Sequence, residues 1–506
     1  MTLHHFLEHW AITDNPFLGE EARHDPVLAR LAGPRGSSLA SHQDFEKILG
    51  DLSRPTSAIV MGEKGSGKTA IRLQISARVR AFNDAHPSAR LLLVDYDDLN
   101  PDLDRFHQRV GGKDPSDSFD RFRAHDHIDA ILGRVVTRLV DALLLRDDLA
   151  LGDNPRRDVR RFDPAPRRDL LLLQALYDLA HDAPERTSSL RRLLRLPPPR
   201  LQEVWAVLGA FGWAIPLAFW LWGSYVMHDQ YHGDWVTYST LTLGALWLAV
   251  VVRAFVWSTL YWRRVGHRLR RQIRVTARTA SSFARSLRRL PALARDPARL
   301  PTHDSEEVRL DLLQRLRAVL RGFGYSGLLV LMDRVDEPTL VSGDPRRMRS
   351  LIWPMLNAKF LQQEGIAFKL LLPTELRHAL LKESSAFFQE ARLDKQSFVE
   401  RLNWTGSMLY DLCTARLRAC RAKGAPDLTL VDLFAEDVTR QDLVDALDQM
   451  HQPRDAFKFL YRCITEHCSN VTTEQAQWRI PRLVLDHVRK QESERVQQLY
   501  RGIRPA

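Results

Sequence analysis

Eight consecutive residues carry the strongest chemical signal in the chain: Gly62, Glu63, Lys64, Gly65, Ser66, Gly67, Lys68 and Thr69. They fit G-x-x-x-x-G-K-[ST], the pattern of a phosphate-binding loop. Glycines let backbone N–H groups turn inward and approach phosphate oxygens closely. Together with Ala70, these residues would cradle a nucleotide. Lys68 would reach the β- and γ-phosphates, and the Thr69 hydroxyl would ligate Mg2+.

A second pattern lies far downstream, at Leu328-Leu-Val-Leu-Met-Asp333-Arg334-Val335-Asp336-Glu337. An apolar strand ending in acids suits metal binding at its tip. Asp333 would hold Mg2+ directly or through water, and Asp336 or Glu337 would act as general base on an attacking water. The two patterns together predict binding of ATP and Mg2+.

Other residues carry weaker signals. Thr374 follows the apolar run Ile366–Leu372 and could sense a γ-phosphate or simply cap a helix opening with Glu375. Arg454, beside Pro453, could reach a nucleotide or merely start a helix. Arg392 could act in trans as an arginine finger or be a surface residue. Asp97 and Asp98 could sit near the site, with solvated turn acids as the simpler reading. The pair His228 and His232, and the trio His4, His5 and His9, have spacings open to metal binding, with free loops as the simpler reading.

The elements that must position these groups are legible. Ser57–Met61 reads as a short buried strand, and Ala70–Arg80 as a helix with Ile71 and Ile75 four apart. Leu91–Tyr96 is a second apolar strand, as suits a parallel sheet buried on both faces. Further elements are a helix over Arg346–Gln362, a strand at 366–372, and a last strand over Ser397–Trp404. Residues 102–200 are largely helical in pattern, with an apolar face over Ile128–Leu145. The four cysteines form no C-x-x-C pair and read as reduced thiols. The first residues lack the basic and apolar regions of a cleavable signal.

The net charge of +11 is unevenly placed: Arg186–Arg295 holds 17 Arg against three acids, more than the whole excess. This basic segment flanks two uncharged runs, Val204–Met227 and Val236–Val252, each near the roughly 17–25 residues that cross a bilayer. Arg253 lies near one end, where its head could snorkel to the interface. Trp257, Tyr261 and Trp262 suit the headgroup belt. Arginines on both flanks place both ends in the cytoplasm and the His228–Asp234 turn outside. A buried hairpin of a soluble protein is the competing reading. Arg263–Leu290 reads as one basic helix lying on anionic headgroups, with a nucleic-acid patch as the alternative.

The chain thus divides into a lead-in segment (1–45) that could lie near the adenine or be a plain surface arm, a first half-core (46–110), a helical insertion (111–200), an apolar hairpin (201–262), a basic juxtamembrane helix (263–304), a second half-core (305–404) and a helical lid (405–506). The two loops, the strand ending at Thr374 and a lid bearing Pro453-Arg454 resemble the AAA+/STAND branch of P-loop ATPases. Asp333-Arg334-Val335-Asp336-Glu337 looks like the D-G-h-D-E motif of NACHT-type STAND proteins, with Arg334 where Gly is usual. A hairpin between the two motifs resembles the layout of the KAP family. The resemblance covers roughly residues 45–100 and 305–470.

It implies an α/β P-loop NTPase, a parallel sheet with helices on both faces, carrying an inserted two-helix transmembrane hairpin and a helical lid. The activity implied is a membrane-anchored ATPase working as a conformational switch, of a kind linked in bacteria to defence against phage or mobile elements. Its place would be the inner membrane, with the ATPase core and both termini cytoplasmic. Partners implied are the bilayer, a homo-oligomer and an unidentified protein. A nucleotide-gated membrane effector that forms oligomers or pores, and a nucleic-acid-binding ATPase, are the alternatives.

Overall fold

Short apolar runs become the strands of one sheet. The architecture is that of a computed structural model describing residues 1–18, 22–31, 42–145, 149–198, 200–226, 233–291, 297–393, 397–472 and 477–500. It divides into two units, residues 1–99 with 326–506, and residues 100–325. The turn-rich Gly33–Ser38 and the pair His228 and His232 lie outside the described residues.

In the first unit, strands β1 (Ala58–Gly62), β2 (Arg90–Tyr96), β3 (Tyr325–Met332), β4 (Ile366–Pro373) and β5 (Ser397–Val399) lie in the order β2-β3-β4-β1-β5. Strand β1 pairs in parallel with β4 and β5, and β3 with β4. Every residue of β1 and β4 is buried, which explains runs with no polar alternation. The last strand stops at Val399 rather than reaching Trp404. Beyond it Arg401 turns to Glu63 at 2.8 Å, and the Trp404 indole donates to the Ser66 carbonyl at 2.8 Å.

The helix expected over Arg346–Gln362 is broken. It runs Pro345–Ile352, gives way to a 3-10 turn at Trp353–Met355, and resumes at Ala358–Leu361. Pro354 has no N–H to continue the ladder, and Asn357 restarts it by accepting the Phe360 N–H at 2.7 Å.

Residues after Thr405 form helices Gly406–Ala419, Arg440–Asp448, Pro453–Asn470 and Arg482–Tyr500. The N-terminal helix Leu3–His9 joins their core: Phe6 and Leu7 share one apolar cluster with Leu409, Cys413 and Phe459. The Trp10 indole donates to the Trp478 carbonyl at 2.9 Å. The start of the chain therefore packs into the core of the C-terminal helices rather than lying out as a surface arm. All four cysteines are buried free thiols, and burial pushes Cys413 up to about 12.

The second unit packs helices Ala124–Leu144, Pro164–Tyr177 and Glu306–Gly322 around buried charges. Arg309 donates through Nε to both carboxylate oxygens of Asp129 (3.1 and 3.0 Å), both residues fully buried, and the Tyr177 hydroxyl donates to Asp129 at 2.7 Å.

Two stretches of this unit, Val207–Tyr225 and Asp234–Gln272, are long and apolar enough to cross a membrane, and little of either is buried. The first is interrupted between helices Arg200–Phe211 and Ala214–Val226. Pro216 removes the donor that Gly212 would receive. The stretches pack through small residues: the Trp247 indole donates to the Gly209 carbonyl at 3.0 Å, and a Cβ at Gly223 would strike Val236 at 2.5 Å. Trp213 and Trp220 are about half exposed. Arg253 is exposed in a π-helical turn, Val252–Trp257.

The basic segment after them is not one helix. It runs as Ser258–Gln272, breaks, and resumes as Ala280–Arg288, with Leu269, Ile273, Phe283 and Leu287 fully buried. Several of its arginines are used internally. Arg274 pairs with Asp126 at 2.6 Å, and buried Arg278 donates to the Ala175 carbonyl and to Ser286.

Candidate functional site

Strand β1 ends at Gly62, and the chain turns through residues 63–67 into the helix Lys68–Ala85. Two residues of the turn need left-handed backbone: Gly65 has φ +97° and Gly67 φ +95°. A side chain at either would be strained, and at Gly65 a Cβ would also meet the Arg454 side chain at 3.0 Å. A Cβ at Gly62 would lie 2.5 Å from Ser66 Oγ. The loop thus leaves little room for a side chain at Gly62 or Gly65.

Lys68 folds back over this turn. Its Nζ donates to the carbonyls of Gly62 at 2.6 Å and Glu63 at 2.9 Å. Burial pulls its pKa below the ordinary lysine range, against the opposing pull of Asp333, Asp336, Glu375 and Glu63. Ala70 continues the helix and lines the same cleft, whereas the Lys64 side chain is exposed beside it.

The second acidic cluster arrives from β3. Asp333 sits at the strand's end, buried, and its Oδ2 accepts the Thr69 hydroxyl at 2.9 Å. Arg72, one turn along the helix, places Nε 3.7 Å from the same oxygen and donates to Asp97 at 2.7 Å. Burial raises the Asp333 pKa, and the Thr69 hydrogen bond and the charges of Lys68 and Arg72 hold it down. Asp97 is therefore not a free turn acid but the anchor of Arg72 and of Arg23, which reaches it at 2.8 Å.

Beyond Asp333 the chain makes a tight turn. Arg334 takes φ +62°, its N–H donates to Asp333 Oδ1 at 2.9 Å, and the Glu337 N–H donates to the Arg334 carbonyl at 3.2 Å. The Arg334 guanidinium forms an ion pair with the Glu337 carboxylate. Asp336 is half-buried and Glu337 exposed, and both face the cleft.

That cleft has a volume of about 390 Å3. Its walls bring together Lys68, Thr69, Asp333, Asp336, Glu337 and Arg454. Thr374 stands apart from these lining residues. Its Oγ1 is buried without a partner, and it makes no side-chain cap for the helix Glu375–Leu381. Ser66 Oγ is likewise buried and unpaired. Arg392 is exposed and donates to Gln362 at 3.2 Å.

Several lining residues escaped the sequence reading. From the N-terminal segment come Arg23, Asp25, Leu28 and His42; from the C-terminal helices come Leu412, Arg416 and Phe457. Arg416, almost fully buried, donates to Asp25 at 2.5 Å and to the Pro16 carbonyl at 2.7 Å, and its guanidinium lies 4.4 Å from the Phe457 ring. Trp404 closes the floor against Ser66. No spacing rule links residues 25 and 416. The one legible sign was an arginine, Arg416, on an otherwise apolar helix face.

The residues fit a hard divalent cation with a polyphosphate. Mg2+ takes one or two protein oxygens and completes its shell with water and phosphate, and a hydroxyl and a buried carboxylate meet here. Among the described residues no group of three His, Cys, Asp or Glu could hold a metal ion. Of the N-terminal histidines, His4 pairs with Glu8 and His9 stacks on Trp478 at 4.1 Å. No family model, no curated protein and no solved structure matches this chain.

Proposed function

We propose that the chain is a membrane-anchored ATPase that binds Mg2+–ATP and hydrolyses it as a conformational switch. The observation that carries this reading is the Thr69–Asp333 hydrogen bond beside Lys68, in a cleft of about 390 Å3 walled by a glycine turn. Such a turn offers backbone N–H groups to phosphate at a helix N-terminus, and Lys68 would exchange its loop carbonyls for phosphate oxygens. Mg2+, held by Thr69 and Asp333, would supply neutralisation of phosphate charge. Glu337, or Asp336 beside it, would accept a proton from water as the water oxygen bonds to the γ-phosphorus. The bridging P–O bond then breaks, and ADP leaves with its electron pair. Arg454, packed on Gly65, and Arg416 would hold the nucleotide from the lid side.

The two apolar stretches support a bilayer anchor. The exposed arginines of Ser258–Gln272, such as Arg263, Arg264 and Arg268, would sit at anionic headgroups. Internal use of Arg274 and Arg278 weighs against a nucleic-acid patch on this segment. The exposed Arg253, costly in lipid, favours as a second reading a membrane effector in which several copies associate.

The test is ATP hydrolysis by the full chain in detergent or nanodiscs. Lys68→Ala should lose nucleotide binding, and Glu337→Gln should keep binding but lose turnover by at least about 100-fold. Unchanged hydrolysis in both variants would sink the reading.

A further inference from the structure

The turn after Asp333 places two side chains three positions apart in the same cleft, and one of them occupies the other. Arg334 and Glu337 are joined by an i→i+3 backbone bond, both line the cleft beside Lys68 and Asp333, and the guanidinium lies on the Glu337 carboxylate. Arg334 does so from a left-handed backbone conformation, φ +62°, that is unfavourable for a non-glycine residue. Its N–H is pinned to Asp333 Oδ1, so the side chain is aimed by the same carboxylate that would hold the metal.

We propose that Arg334 is a positioning residue that masks Glu337, holding basal hydrolysis down until the pair opens. The proposal rests on the ATPase reading above and names a control of that same site. A carboxylate oxygen that accepts a guanidinium N–H has fewer lone pairs for a water proton. The mask is light. Glu337 is half exposed and Arg334 about a quarter exposed, and an ion pair in such a setting is weak. An arriving polyphosphate carries enough negative charge to compete for Arg334, so substrate itself could lift the mask.

The experiment compares wild type, Arg334→Ala, Arg334→Gly, Arg334→Lys and Glu337→Gln as full chains in nanodiscs. Single-turnover hydrolysis of Mg2+–ATP is measured beside the Kd of a fluorescent ATP analogue. Arg334→Ala should raise the turnover rate three- to five-fold with Kd within two-fold, and Arg334→Gly, which suits the backbone, should do the same. Arg334→Lys keeps the charge and should stay near wild type. Turnover unchanged or lowered in both Ala and Gly variants, with Kd retained, overturns the mask while leaving the ATPase reading intact. A Kd weakened ten-fold or more overturns it too, because Arg334 would then be a phosphate ligand. Failure of wild type to bind the analogue removes the ATPase reading, and the mask with it.

Discussion

The Thr69 hydroxyl donates to Asp333 Oδ2 at 2.9 Å across 264 positions of chain. One residue opens the helix after β1, the other ends β3, and β4 lies between those strands in the sheet. Parallel strands carry their C-terminal ends to one edge, so the two groups meet there despite the intervening strand.

Thr69→Val tests that contact. It leaves a buried carboxylate oxygen short of one donor, and the cost should be about 1–3 kcal/mol in denaturant unfolding. Thr69→Ser keeps the hydroxyl and should restore both stability and Mg2+-dependent nucleotide binding.

Gly65→Val would place a branched side chain at φ +97° against Arg454. Affinity for ATP should fall by at least about ten-fold through strain in the loop. Circular dichroism should show the helices intact. Equilibrium binding of a fluorescent ATP analogue reads the outcome.

Lys369 predicts a pH dependence. It is fully buried in β4, donates to the Leu49 carbonyl at 3.0 Å and the Thr56 carbonyl at 2.6 Å, and burial pulls its pKa down to about 7. The folded state thus prefers the neutral amine more than the unfolded chain does. Stability from this group is present above the unfolded value near 10.5 and is lost as pH falls towards 7. Within that window the slope approaches about 1.4 kcal/mol per pH unit. Lys369→Met should flatten this part of the Tm–pH curve.

Asp129→Ala should destabilise the second unit by about 3–5 kcal/mol, because it strands the Arg309 charge in a fully buried site. The double variant Asp129→Leu with Arg309→Met should recover most of that loss. Calorimetry of the single and double variants gives the coupling.

Deleting residues 204–262 should release the chain from membranes that resist carbonate washing. Among the described residues, Val207–Tyr225 and Asp234–Gln272 leave most of their apolar surface uncovered. Retention of the deleted form on membranes would count against a bilayer anchor.

The sequence alone determined the local parts. The glycine spacing of 62–69, the apolar run into Asp333 and the two uncharged stretches are patterns within a few dozen residues, set by backbone sterics and hydrophobic periodicity. Helix ends were less legible where a single Pro354 or the buried face of Ile273 overrode the general pattern. Only the tertiary structure decided which distant groups share the cleft: Trp404 against Ser66, Arg416 on Asp25, and the N-terminal helix among the C-terminal helices. It also decided that Arg274 and Arg278 are spent inside the second unit rather than offered to a partner. The physical reason is that burial and charge pairing depend on what the rest of the chain brings alongside, and no local spacing encodes that.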